Sequence, residues 1–423
     1  MPINRRAFVL STAAGIAAAP SGEIGRRLPA EWKTFTDPET GRKVRQLTTA
    51  AANSYPLYYF SPSITTDGRY LVFHSERSGW VQLYRLDLGS GEMAQLTEGR
   101  TRDSGWGIWC EKHLRGIYNH LSALNAARRE VYYFQDEQVR RTRLDDLASS
   151  VLYEMPGRIS MGQSMCSPDG RWFAFIHADR AHFAQAYADR EALTNMGLFQ
   201  WMGHEQWRRT VPTTIGLIDT ETGSYRDVMR LDFHVHHVLF VDNDRLLINH
   251  VRNDPGMWVV RRDGRGARDL RPRDAHGVVV HQVITKRGIF YESVNSEKGT
   301  RGNWLGCYDL DRDRYEEVLL PAVDGYLHTG WDPDGRFLFF ENHGKTHELL
   351  SLHYPFQKER TRVRKLRSMA LYPGRGGQRY HAHPFLTPDR RSIAYTEVIG
   401  GFAQVCLLDV ADLVDRDEYW DRR

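Results

Sequence analysis

The sequence predicts an all-β protein, a seven-bladed β-propeller, on three observations. One turn pattern recurs seven times, the runs beside each turn are rich in Val, Ile, Phe and Tyr, and 423 residues suit one large single-core ring. The turns are Asp67-Gly68-Arg69, Asn125 to Arg128, Ser167-Pro168-Asp169-Gly170, Asp242-Asn243-Asp244, Lys286-Arg287-Gly288, Asp332-Pro333-Asp334-Gly335 and Thr387-Pro388-Asp389-Arg390. Asp-Gly and Pro-Asp-Gly preset hairpin geometry, and the runs after them, such as Tyr70–Phe73, Trp172–Phe175 and Arg336–Phe340, suit a pleated buried surface.

A further strand ending in an acidic residue follows several hairpins: Val81–Asp87, Ile215–Asp219, Trp258–Asp263, Leu305–Asp309 and Val405–Asp409. These read as the outer strands of successive blades. Turns recur every forty to seventy residues or so, which fits four-stranded blades with some long loops and is too irregular for a tight solenoid. Two separate sandwiches would have to explain seven phased turns and the lack of a linker rich in Pro, Gly or Ser. One segment breaks the rhythm: Ala181 to Thr210 has helical propensity and no period-two alternation, and is expected as a helical insertion projecting from blade three.

At the N-terminus, Asn4-Arg5-Arg6-Ala7-Phe8-Val9-Leu10 and the small, mildly apolar run Ser11 to Ala19 read as a twin-arginine export leader. Residues 1–25 are therefore expected as leader and 26–423 as a single propeller domain in the periplasm or outside the cell. A mean hydropathy of −0.55 and the lack of an apolar run near twenty residues predict no membrane association once the leader is removed. A net charge of +4, from 57 basic and 53 acidic side chains with no dense basic block, argues against nucleic acid as the partner. Cys110, Cys166, Cys307 and Cys406 form no CxxC pair, so buried free thiols are expected.

Residues at a fixed distance before the hairpin turn occupy the same height in every blade. His328 lies six residues before Asp334, His383 six before Asp389, and His281 five or six before the Lys286-Arg287-Gly288 turn. Their phase sends them to one sector of the channel mouth. In Gln378 to His383, two histidines spaced by one residue are expected on one side of a strand, with an amide oxygen upstream. With His328 this set suits a divalent metal, and ligand type leaves manganese, iron and zinc open. His234, His236 and His237 precede the blade-four turn as further mouth residues, and His250 begins the next loop. No GxSxG, HExxH, Walker or dinucleotide motif precedes a strand-to-helix turn.

From Val44–Thr48, Tyr84–Leu88 and Ala94–Gly99 through to the last blade, the chain resembles the oligogalacturonate lyases, and Gln378-Arg379-Tyr380-His381-Ala382-His383-Pro384 matches that family's Q-x-x-H-x-H-P motif. The resemblance implies a manganese ion held by Gln378, His381, His383 and His328, and His281 as the catalytic base. It also places an arginine before a hydrophobic-Trp pair, where this chain has Gly256 before Met257-Trp258; Arg252 is the candidate replacement, then Arg208 and Arg209. The expected activity is β-elimination on short uronic-acid oligosaccharides by a monomer or weak homo-oligomer. Two other readings are a non-catalytic periplasmic propeller that binds or scaffolds, and a metal-dependent hydrolase. The scaffold would need neither clustered histidines nor a metal, and hydrolysis would create no conjugated double bond.

Overall fold

A strand that is apolar at consecutive positions needs both faces of its sheet covered. Tyr70–Ser75 and Thr213–Asp219 are of this kind and are buried along their whole length. The computed structural model describes residues 23–414 except 101–114, 118–120, 186–210, 251–255, 272–277, 296–301, 321–325, 344–345, 354, 358–360 and 372–376. Those residues build seven antiparallel sheets of four or five strands. Seven apolar clusters lie between successive sheets, including one between the last sheet and the first, so the sheets close a ring. The architecture is the expected seven-bladed propeller.

From the channel outward, blade five consists of Val278–Thr285, Gly288–Asn295, Gly302–Asp309 and Arg314–Leu319. Blade six consists of Tyr326–Trp331, Phe337–His343, His347–His353 and Arg362–Met369. The strands expected at the outside are third strands, and a fourth lies beyond them. In blade three that fourth strand is Tyr225–Leu231, which is largely half-buried or exposed and carries little apolar signal.

Blade seven joins both ends of the described chain. Phe385–Leu386, Ser392–Ile399 and Phe402–Asp409 pair outward to Lys43–Gln46 and then Lys33–Thr36. Asp37, at the tip of this N-terminal hairpin, pairs with Arg367 of blade six, and Arg367 also meets Glu397 of blade seven at 2.7 Å.

The turns repeat one small motif. The hydroxyls of Thr65, Ser167 and Thr387 donate to the carboxylates of Asp67, Asp169 and Asp389 at 2.5–2.6 Å, and the same carboxylates accept the backbone N–H two residues on. Of the insertion expected in blade three, residues 181–185 are helical and 186–210 lie outside the described residues; of the expected leader, residues 1–22 lie outside them, while the Gly25 N–H donates to the Gln95 carbonyl of blade one at 2.9 Å. Cys166, Cys307 and Cys406 are buried and free. Among the described residues no helix is long and apolar enough to cross a membrane.

Candidate active site and metal centre

The inner strands of blades five and six each carry a β-bulge. In blade five the register shifts between Val280 and Val283, and in blade six between Leu327 and Thr329, which sets His281 and His328 at the bulges. A bulge bends its strand and re-aims a side chain. His281, His328 and His383 have φ of 53°, 40° and 41°, left-handed values that non-glycine residues seldom adopt and that concentrate at functional sites. Blade four has the same register shift at His236.

The structure brings the in-phase histidines together. Ring centroids lie 4.5 Å apart for His281 and His328, 4.2 Å for His328 and His383, and 4.9 Å for His328 and His381. The spacing of His381 and His383 is not strand alternation, however. Gln378–Tyr380 form a 3-10 turn, and the two histidines lie on the irregular segment between it and the inner strand Phe385–Leu386, His381 extended and His383 left-handed. The local reason is that the Ala382 N–H donates to the Glu341 carboxylate of blade six at 3.1 Å rather than to a strand carbonyl. Nε2 of His383 and Oε1 of Gln378 are 2.8 Å apart.

Two buried carboxylates, absent from the sequence-based set, stand behind the rings. Glu341 Oε2 accepts from Nδ1 of His328 and of His381, both at 3.3 Å, and Oε1 accepts from Nε2 of His347 at 2.9 Å. Burial would raise the Glu341 pKa, but His381, His328 and His347 hold it well below the carboxylate range. The other nitrogen of His347 faces the Ala370 carbonyl at 3.1 Å; both partners only accept, so the ring carries both protons. Its pKa is raised by Glu341 against the effect of burial. Glu292 Oε2 lies 2.8 Å from Nδ1 of His281; burial pushes this carboxyl up, and His281 opposes the shift.

A sequence signal for both existed. Glu292 and Glu341 each interrupt a buried apolar run, Ile289–Tyr291 and Phe337–Phe340, in the second strand of their blades.

Tyr58, Tyr59 and Phe60 fill the channel beside the histidines and are buried. Tyr59 stacks on His383 at 6.1 Å and lies 5.6 Å from His328 and 5.9 Å from His281. Tyr59 and Phe60 also line a cavity of about 240 Å³ with Leu239, Ile284, Trp331 and Phe385. His281 and His381 keep 12% and 14% of their side-chain surface exposed, against 2% for His328, so the cluster opens on the side of the first two.

The donor set fits a divalent cation. Burial takes His328 down to about 3, which keeps its imidazole neutral as ligation requires. One donor atom each from His328, Glu341 and His381 lie within 4.8 Å of one another. Ligands about 2.1 Å from an ion and at right angles lie roughly 3 Å apart, close to the separation of the His383 and Gln378 donor atoms.

The model of the family described as oligogalacturonate lyase matches residues 23–414. The chain belongs to the oligogalacturonate lyase family. It is 22% identical over 410 residues to the oligogalacturonide lyase of Pectobacterium atrosepticum, covering 92% of this chain and 99% of that one. It is also 22% identical over 409 residues to the oligogalacturonate lyase of Dickeya dadantii, with the same coverage. A solved oligogalacturonate lyase in complex with manganese superposes with a TM-score of 0.75 at 20% identity, covering 93% of this chain and all of that one. A second, from Vibrio parahaemolyticus, gives 0.75 at 19%, covering 94% of this chain and all of that one.

Gly256, where the resemblance to the oligogalacturonate lyases leads to the expectation of an arginine, has a backbone of its own kind. Gly256 has φ of 74°, a conformation that strains an L side chain, and its carbonyl accepts from Asn249 Nδ2 at 2.7 Å. Arg252, Arg208 and Arg209 lie outside the described residues. His234 and His237 are buried neutral rings, each taken down to about 3 by burial, and His237 packs on Tyr58 and Phe60.

Proposed function

We propose that this member of the oligogalacturonate lyase family cleaves short uronic-acid oligosaccharides by β-elimination, with oligogalacturonate as the first candidate substrate. The observation that carries the reading is the closeness of one partly exposed, carboxylate-backed imidazole, His281, to a second group of imidazoles suited to a cation.

His281 is the base. With Nδ1 donating to Glu292, its Nε2 lone pair is left to remove the C5 proton of a uronate bound at the mouth. Loss of that proton is followed by formation of a C4–C5 double bond and departure of the glycosidic O4, which takes up a proton from solvent and leaves as a hydroxyl. His328, Gln378, His381 and His383 would hold the divalent cation, for which manganese is the candidate. When bound, it supplies positive charge to the substrate carboxylate as negative charge develops there. The buried aromatics Tyr58 and Tyr59 exclude water beside the histidines. Gly256 offers no guanidinium, so Arg252, then Arg208 and Arg209, are the candidates for a second charge on the carboxylate. Preference for a uronate other than galacturonate would follow from that changed contact.

Residues 181–210 are proposed as a helical insertion projecting from blade three, and residues 1–25 as a twin-arginine leader delivering a monomeric or weakly associating enzyme to the periplasm. The test is a screen of defined oligouronides for new ultraviolet absorbance, with and without added Mn²⁺. Elimination creates a conjugated double bond and hydrolysis does not. Absorbance on at least one uronate, increased by the metal, is expected; silence on all of them despite bound metal would favour a binding propeller.

A further inference from the structure

We infer that Glu341 is the positioning residue of the metal centre, one buried carboxylate that sets the tautomer of two ligand imidazoles on different blades at once. The inference rests on the proposed reading of His328 and His381 as ligands. Glu341 sits in the second strand of blade six and is wholly buried. Its Oε2 receives Nδ1 of His328 from the strand in front of it, Nδ1 of His381 from blade seven, and the backbone N–H of Ala382 between the two blade-seven histidines. Its Oε1 is taken by His347.

Three consequences follow from this wiring. An ionised carboxylate only accepts, so both Nδ1 atoms carry the proton and both Nε2 atoms keep the lone pair a cation needs. Four donors already occupy the carboxylate, so joining the coordination shell would cost this wholly buried group hydrogen bonds. Finally, the contact to Ala382 fixes the backbone that carries His381 and His383. Glu341 therefore ties the blade-six ligand to the blade-seven pair, although it is remote in sequence from the motif that marks them.

The experiment measures Mn²⁺ binding by equilibrium dialysis on the full chain and on Glu341→Gln, with folding monitored by circular dichroism and cooperative unfolding. Glutamine keeps the size and removes the accept-only character. Stoichiometric binding by the wild type, weakened about 10–100-fold in the folded variant, is the expected result. Equal affinity in the two proteins overturns this inference and leaves the proposed metal site standing. A wild type that binds no Mn²⁺ overturns the proposed site itself.

Should Glu341→Gln not fold, nitrogen-15 histidine spectra of the metal-free wild type decide. His328 and His381 are both expected as Nδ1–H tautomers, and an Nε2–H tautomer at either one overturns the assignment. A Glu341 oxygen found directly on manganese in a metal-loaded crystal would overturn it as well.

Discussion

Each histidine in the site needs something behind it to choose which nitrogen faces outward, and the choice sets the residue-scale expectations. His281→Ala removes the proposed base and leaves the proposed ligands in place. Turnover should fall at least about a hundredfold while metal content by atomic absorption is unchanged; undiminished turnover would remove His281 from the reaction. Replacing His381 and His383 together by Ala should abolish stoichiometric metal while the propeller still unfolds cooperatively, and retained metal would show that the ligands lie elsewhere. The histidines of the site were legible because His281, His328 and His383 share a phase relative to their turns. Glu292 and Glu341 were not, because they lie on the second strand, where a carboxylate reads as an interruption in an apolar run until the strand in front is known. The left-handed backbone of the three histidines had no sequence signal, since nothing in the residue type announces the bulges at His281 and His328 or the irregular segment that carries His383.

Strands and turns follow the same division between what a pattern carries and what pairing decides. The hairpin turns were readable because their Ser/Thr and Asp side chains bond within a few residues. Fourth strands such as Tyr225–Leu231 were hidden by their half-exposed sequence, and the His381 and His383 segment looked like a strand while Ala382 in fact bonds across to Glu341. The closing hairpin Lys33–Gln46 was also hidden, because its partner Phe402–Asp409 comes more than 350 residues later. That hairpin supplies a pH expectation. Against burial, Arg367 and the N–H groups of Thr40 and Glu39 hold the Asp37 pKa below its ordinary value. A depressed carboxyl contributes stability that is present above its unfolded pKa, near 3.9, and is lost as pH falls through the lower folded value. Asp37→Asn should lower stability at neutral pH by on the order of 1–3 kcal/mol and flatten the acid limb of the urea midpoint against pH. A midpoint that falls as steeply below pH 4 or so in the variant would show that other carboxylates close the ring.

At the scale of the whole molecule, a ring of seven sheets turns sequence phase into spatial convergence: residues about fifty apart in the chain become neighbours at the mouth, as His281, His328 and His383 do. The compartment in which the ring works is the proposal that rests on Arg5 and Arg6. Replacing Arg5 and Arg6 by Lys should strand the protein in the cytoplasm, and equal periplasmic recovery of the variant would reject the export leader. The most direct test of metal-dependent elimination is a progress curve of ultraviolet absorbance on oligogalacturonate, recorded with chelator-stripped protein and again after Mn²⁺ is restored. Absorbance should rise only after the metal returns and should stay flat for His281→Ala under the same conditions. Equal rates with and without metal, or cleavage to saturated products with no new absorbance, would contradict it.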